Sequence, residues 1–274
     1  MSQINFTKTL SAGVGAYNRT VGQWWVDQTR NKAHAVAYKN IASHVVRCAK
    51  KNSGLIIDYG CGTGRIMKRL VDALPGWTFL GIDGSQVMLR DAEAWARAKR
   101  KKHSAGIKFR CATLPDFSTP AVKADIIVFT FPNMLSPASG RCPFQRLFQE
   151  DRDLAWLLAR KQEKGKKATE LFEQLFMSRV VSRNLRLLLR KGGLCVRVDY
   201  CQGDRHELGR FDQLSTLFEE GSLSTKQAHL RPHKFFKLLT SQYYESAVIR
   251  DVHAQTKDQD FLEGGYLISL LQAM

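Results

Sequence analysis

The residues of this chain best placed to do chemistry are two acids and three alternating glycines: Asp58, Gly60, Gly62 and Gly64, followed by Asp83. An apolar run, Leu55-Ile-Ile, stops at Asp58, the chain turns through the glycines, and a helical pattern begins near Arg65. Glycine tolerates positive φ and carries no Cβ, so a ligand can lie directly on such a loop. The helix that follows points its unpaired N–H groups and the positive end of its dipole at the same place. A second apolar run, Thr78-Phe-Leu-Gly-Ile82, ends at Asp83, where an acid accepts hydrogen bonds from both hydroxyls of a ribose. Loop and acid together predict a bound nucleoside.

A dinucleotide fingerprint, G-x-G-x-x-G, needs glycine at position 65, whereas this chain has Arg65 and sets its third glycine one position early. The pattern instead resembles the first motif of the class I S-adenosylmethionine-dependent methyltransferases. The resemblance covers roughly residues 54–200 and rests on Asp58-Tyr-Gly60-Cys-Gly62-Thr-Gly64 together with Gly81-Ile-Asp83-Gly84-Ser85. It implies S-adenosylmethionine as cofactor, with Asp58 helping to hold its amino-acid end, Asp83 its ribose, and Gly84, Ser85 and Met88 flanking its adenine. Ala112, Thr113 and Leu114, after the third strand, are expected at the adenine as well. Many relatives carry an aspartate where this chain has Thr113. The threonine hydroxyl, Asp116 reaching back, and the backbone alone are three open ways of replacing it. Phe129 and Thr130, ending the fourth strand, and Tyr17, from the N-terminal region, complete the expected cofactor contacts.

The reaction follows from the cofactor. A sulfonium makes its methyl group electrophilic, so the protein has to align a nucleophile, exclude water and, where needed, take up a proton. Ligands in such sheets sit at the carboxyl ends of the strands, which points to Phe131, Asn133 and Tyr200 as substrate walls. Trp24, Trp25 and Tyr38 lie on two aromatic N-terminal helices and are candidates for the substrate side, the alternative for the tryptophans being simple packing of those helices onto the sheet. His206 and His34 are candidate general bases because an unperturbed histidine titrates near neutral pH, and Asp199 is a third. Surface or packing roles are the alternative for each. No metal site is expected: the six cysteines form no C-x-x-C pair, and His206-Glu-Leu-Gly lacks a second histidine.

The elements that must position these residues read as alternating strand and helix: 54–59, 65–74, 78–83, 85–101, 107–112 and 124–131. Such alternation predicts an α/β, Rossmann-like, mostly parallel sheet with helices on both faces. Helical patterns over 14–29 and 31–51 precede it, and residues 1–52 are expected as an N-terminal helical lid on a core of 53–274. The stretch from 132 to 193, with a helical pattern near 171–189, is longer than a crossover needs, so a helical insertion at about 134–170 is expected over the site. A fifth strand is read at 194–199, and runs at 243–252 and 265–271 resemble the antiparallel pair that closes this family's sheet.

Composition agrees with a folded enzyme: 274 residues, 44% apolar, with 20 glycines and 7 prolines. No apolar run approaches the ~20 residues that span a bilayer, and a cytoplasmic location is expected. The charge is strongly unbalanced, 42 Lys and Arg against 25 Asp and Glu, a net of +17. An N, O or S atom of a small metabolite, anionic ones included, is the expected methyl acceptor. RNA docked on the basic surface is the alternative. Acidic carrier domains and membrane surfaces are also compatible with the charge.

Overall fold

The computed structural model describes residues 32–100, 106–112, 123–130, 181–202, 235–245 and 264–274. Their centre is a seven-stranded sheet in the order β3-β2-β1-β4-β5-β7-β6. The strands are β1 (Gly54–Tyr59), β2 (Trp77–Asp83), β3 (Ile107–Cys111), β4 (Ala124–Thr130), β5 (Leu189–Gln202), β6 (Phe236–Glu245) and β7 (Gly264–Ala273). From β3 to β5 every pairing is parallel, while β7 runs antiparallel to both β5 and β6. The chain winds outward from β1 to β2 and β3, then returns to add β4 on the other side of β1. Strand order therefore reverses between β1 and β4, the kind of position at whose carboxyl strand ends open α/β sheets bind ligands.

The helices among the described residues are α1 (Lys32–Cys48), α2 (Met67–Ala73), α3 (Gln86–Arg100) and α4 (Ser182–Leu188). In α1, Ala37, Tyr38, Ile41, Ala42 and Val45 recur at helical spacing and are buried, whereas Lys39, Ser43 and Arg47 are exposed. Ile41 and Val45 are fully buried, and each stabilises the fold by about 1.5–3 kcal/mol. They share one apolar layer with Leu70 of α2, Leu89 of α3, and Ile56, Val128, Val196 and Ile268 of the sheet. The described part of the expected lid is thus a layer of the core. Residues 1–31 and the expected insertion lie outside the described residues.

Alternation along the strands sends Ile56 and Asp58 toward this layer and Ile57 and Tyr59 to the other face. There the Tyr59 ring packs edge-on against Phe129, and its hydroxyl donates to Asn184 Oδ1 on α4. At the far side of the sheet, Asn40 Nδ2 donates to the Tyr266 hydroxyl at 2.8 Å, and His44 Nε2 lies 2.7 Å from the Tyr244 hydroxyl. The two tyrosine rings stack at 5.1 Å. α1 is thereby tied to β6 and β7.

Three boundaries differ clearly from expectation, the first being β5, which spans Leu189–Gln202 rather than 194–199. α2 begins at Met67 rather than 65, because the chain turns through residues 62–66 before the helix is established. β6 occupies Phe236–Glu245 and not 243–252, since it pairs with β7 from Phe236 opposite Ala273 to Glu245 opposite Gly265. β6 is an edge strand, largely exposed, so its apolar pattern is weak.

Candidate active site

The site forms where β1 and β2 end. Gly60, Gly62 and Gly64 have φ of 82°, 51° and 72°, conformations that only glycine adopts without strain. Gly60 and Cys61 donate their backbone N–H groups to the Ile82 carbonyl at 2.8 and 3.1 Å, which fixes the loop across the end of β2. Gly64 donates to the Cys61 carbonyl at 2.8 Å and accepts from Lys68 at 2.9 Å, carrying the chain into α2. A Cβ on Gly62 would stand 3.0 Å from Cε of Met88, so the loop and α3 are in direct contact.

Asp83 braces the loop. Its Oδ2 accepts the Gly62 N–H at 2.7 Å and its Oδ1 accepts the Ser85 N–H at 2.8 Å. Burial raises the pKa of this carboxyl, and the N–H groups of Ser85, Gly62 and Gly84 pull it back down. An ionised carboxylate offers about four acceptor positions, so with three N–H groups directed at it capacity remains for a ribose hydroxyl. Ser85 also caps α3: its Oγ accepts from Met88 N at 3.3 Å and its carbonyl from Leu89 N at 3.0 Å. The Ala112 N–H donates to the Asp83 carbonyl at 2.9 Å, which brings the end of β3 alongside.

Asp58 is different in kind. It is 1% exposed, and neither of its carboxylate oxygens has a hydrogen-bond partner among the described residues. Burial, then the neighbouring charge of Asp83, pushes its pKa up to about 8. A buried acid without a partner is costly unless a cation or a hydrogen-bond donor comes to it. Tyr38 of α1 lies within its field. Burial first, and Asp58 second, raise the tyrosine pKa, while Arg65 and Arg69 lower it. The Arg69 guanidinium sits 5.8 Å from the Tyr38 ring centroid, and Arg65 Nε is buried without a hydrogen-bond partner among the described residues. Neither Arg65, noted in the sequence only for its departure from the dinucleotide fingerprint, nor Arg69 was expected near Asp58; their one signal is position, after the glycine loop.

The expected site residues thus divide clearly. Asp58, Gly60, Gly62, Gly64, Asp83, Gly84, Ser85, Met88 and Ala112 converge on one edge of the sheet, with Tyr38 beside Asp58. Thr130 ends β4 on the Asp58 side of the sheet, whereas Phe129 packs on the other face against Tyr59. His34 is fully buried at the start of α1, its ring 6.3 Å from that of Tyr38. Asp199 and Tyr200 are placed by their backbone alone, paired with Leu267 and Tyr266. Tyr17, Trp24, Trp25, Thr113, Leu114, Phe131, Asn133 and His206 lie outside the described residues. No group of three or more potential metal ligands occurs among the described residues.

A methyltransferase-domain family model matches residues 56–147. No curated protein matches the sequence. Among solved structures, magnesium protoporphyrin IX methyltransferase from Synechocystis PCC 6803, with S-adenosylhomocysteine bound, is 11% identical, with 97% of this chain and 99% of that one covered and a TM-score of 0.50. The cyclase SpnF is 14% identical over 86% of this chain and 79% of its own, with a TM-score of 0.51. The two names state different reactions, so what this chain shares with both is the sheet and its helices. The domain match covers about a third of the chain, begins within β1 and runs through the glycine loop and both acids, so the chain carries a methyltransferase domain on a sheet that these solved structures share.

Proposed function

We propose that this methyltransferase transfers the methyl group of S-adenosylmethionine to an N, O or S atom of a small metabolite, anionic ones included. The observation that carries the cofactor half of this reading is Asp58: a buried carboxylate with no partner among the described residues, one residue before Tyr59 and the glycine turn. An α-ammonium group supplies the positive charge and hydrogen-bond donors that such an acid needs. The bare backbone of Gly60 to Gly64 accommodates the methionine part beside it, and Asp83 accepts from the ribose while bracing the loop. Met88, Gly84, Ser85 and Ala112 lie where a base extending from that ribose would pack. When bound, the sulfonium supplies an activated methyl group.

The chain's own part is to bind, orient and exclude water. The residues after β4 and β5, namely Thr130, Phe131, Asn133, Asp199 and Tyr200, supply the acceptor side, and Tyr38, with Tyr17, Trp24 and Trp25, closes it. His206, His34 and Asp199 are the proposed proton acceptors. Of these, His34 is fully buried, its ring 6.3 Å from that of Tyr38. RNA is the second reading, favoured by the net charge of +17.

One experiment addresses both halves. Calorimetric titration with S-adenosylhomocysteine measures the cofactor site directly. Incubation with methyl-labelled S-adenosylmethionine and separate pools of small metabolites and total RNA then reports where the label goes. Label entering metabolites supports the small-molecule reading. Label confined to RNA replaces it with the second, and no uptake of S-adenosylhomocysteine removes both.

A further inference from the structure

The edge of the sheet opposite the active site carries a cationic surface that methyl transfer does not use. α1 ends at this edge with exposed Arg47 and leads through Lys50 and Lys51 into β1. Lys123 directly precedes β4, and Arg190 and Lys191 lie at the start of β5. Contacts among Lys51, Arg190 and Lys123 join these segments into one patch. Lys51 approaches Asp125 at 3.7 Å, Arg190 pairs with the same carboxylate, and Lys123 Nζ donates to the Leu187 carbonyl at the end of α4. Asp125 is the acid within this cluster, and it is already held by Leu55 N at 3.0 Å and by those two cations. Arg47, Lys50 and Lys191 have no carboxylate within ion-pair distance among the described residues, so their charge faces outward.

Aliphatic side chains stand among these cations. Val46 is 36% exposed beside Arg47, and Leu187 is 46% exposed at the point where Lys123 reaches α4. None of the large apolar side chains that are well exposed among the described residues is aromatic. Single-stranded nucleic acid is gripped by aromatic stacking as well as charge, whereas an anionic bilayer takes up lysine, arginine and aliphatic groups together. We infer that this edge docks on an anionic membrane surface, the lysines and arginines meeting lipid phosphates while Val46 and Leu187 enter the headgroup boundary. Strands of about seven residues hold the two edges roughly 20 Å apart, so docking leaves the glycine loop facing away from the lipid.

The test uses the full chain and vesicles of phosphatidylcholine with and without about one-third phosphatidylglycerol, read by co-sedimentation near 0.1 M salt. Binding to the anionic vesicles alone is expected. The triple substitution Arg47→Gln, Lys50→Gln, Lys191→Gln should lower it about a hundred-fold. Leu187→Ser should lower it several-fold, and both variants should bind S-adenosylhomocysteine like the parent. Absence of binding to anionic vesicles, or binding that ignores the triple substitution, overturns the proposal. So does duplex RNA that binds through the same three residues while Leu187→Ser has no effect on either ligand, a result that assigns the edge to nucleic acid.

Discussion

Asp83 holds Gly62 from the neighbouring strand: its Oδ2 accepts the glycine N–H at 2.7 Å while Oδ1 accepts the N–H of Ser85 at 2.8 Å. One carboxylate therefore sets both the glycine turn and the start of α3, and in the proposed reading it also accepts from the ribose. Asp83→Asn keeps the shape but replaces one acceptor oxygen with an NH2 that faces another N–H. The variant should lose about 1–3 kcal/mol of stability, read by urea unfolding, because hydrogen bonds to a charged acceptor disappear. S-adenosylhomocysteine affinity should fall at least tenfold in calorimetry. Unchanged affinity with lowered stability would confine Asp83 to bracing the loop.

Asp58 should make both stability and binding depend on pH. Its folded pKa is raised to about 8 from an ordinary value of 3.8, so the folded state holds a proton that the unfolded chain releases. Stability attached to this group is complete below pH 4 and is lost as pH rises from about 4 to about 8. Pairing with an α-ammonium favours the ionised form, so binding of S-adenosylhomocysteine should release a proton below pH 8. Its affinity should rise as pH climbs from 6 to 8 and then level off. Calorimetry at pH 7 in buffers of different ionisation enthalpy measures that release, and Asp58→Asn should abolish it while leaving the unfolding midpoint higher at pH 8.

Most of the geometry of the candidate site was legible in the sequence because it is local. Asp58, the three glycines and Ser85 are fixed by spacing along one β-turn-α segment, and Asp83 by the end of the next strand. The parallel core was legible for the same reason: Leu55-Ile-Ile and Ile126-Ile-Val-Phe129 are buried runs with nothing polar to confuse the pattern. What escaped depends on contacts between distant segments. Tyr59 finds Asn184, 125 positions away, and His44 finds Tyr244, 200 positions away, and no spacing announces either pair. β6 was displaced because an edge strand buries one side only, so Phe236 to Glu245 reads as mixed polarity and the more apolar run after it attracted the assignment.

Gly62 is the loop position where a side chain should do most harm. Its φ of 51° costs a non-glycine residue about 1–2 kcal/mol, and an added Cβ would press on Met88 at 3.0 Å. Gly62→Ala should therefore unfold earlier by about that amount and bind S-adenosylhomocysteine at least tenfold more weakly. Gly192 provides the control. Its φ is 73°, but an added Cβ meets nothing within 4 Å and the residue lies at the opposite edge of the sheet. Gly192→Ala should show a similar backbone cost in thermal unfolding with cofactor affinity unchanged. Equal losses of affinity in the two variants would mean that global destabilisation, not the loop surface, controls binding.

The Tyr59–Asn184 contact should act on the fold without acting on the cofactor. Both side chains are buried on the face of the sheet away from Asp58, and the tyrosine hydroxyl donates to the amide oxygen of α4, the helix that leads into β5. Tyr59→Phe takes that donor from a buried amide, and Asn184→Leu takes this acceptor from a buried hydroxyl. Each should cost about 1–3 kcal/mol in urea unfolding. If the pair acts through this bond, the double variant should cost less than the sum of the two, with a coupling of about 0.5–3 kcal/mol. S-adenosylhomocysteine affinity should stay within about twofold, since Tyr59 and Asp58 are adjacent in the chain but point to opposite faces. Additive losses would assign the two residues to independent packing, and a large fall in affinity would show that the second face transmits strain to the glycine loop.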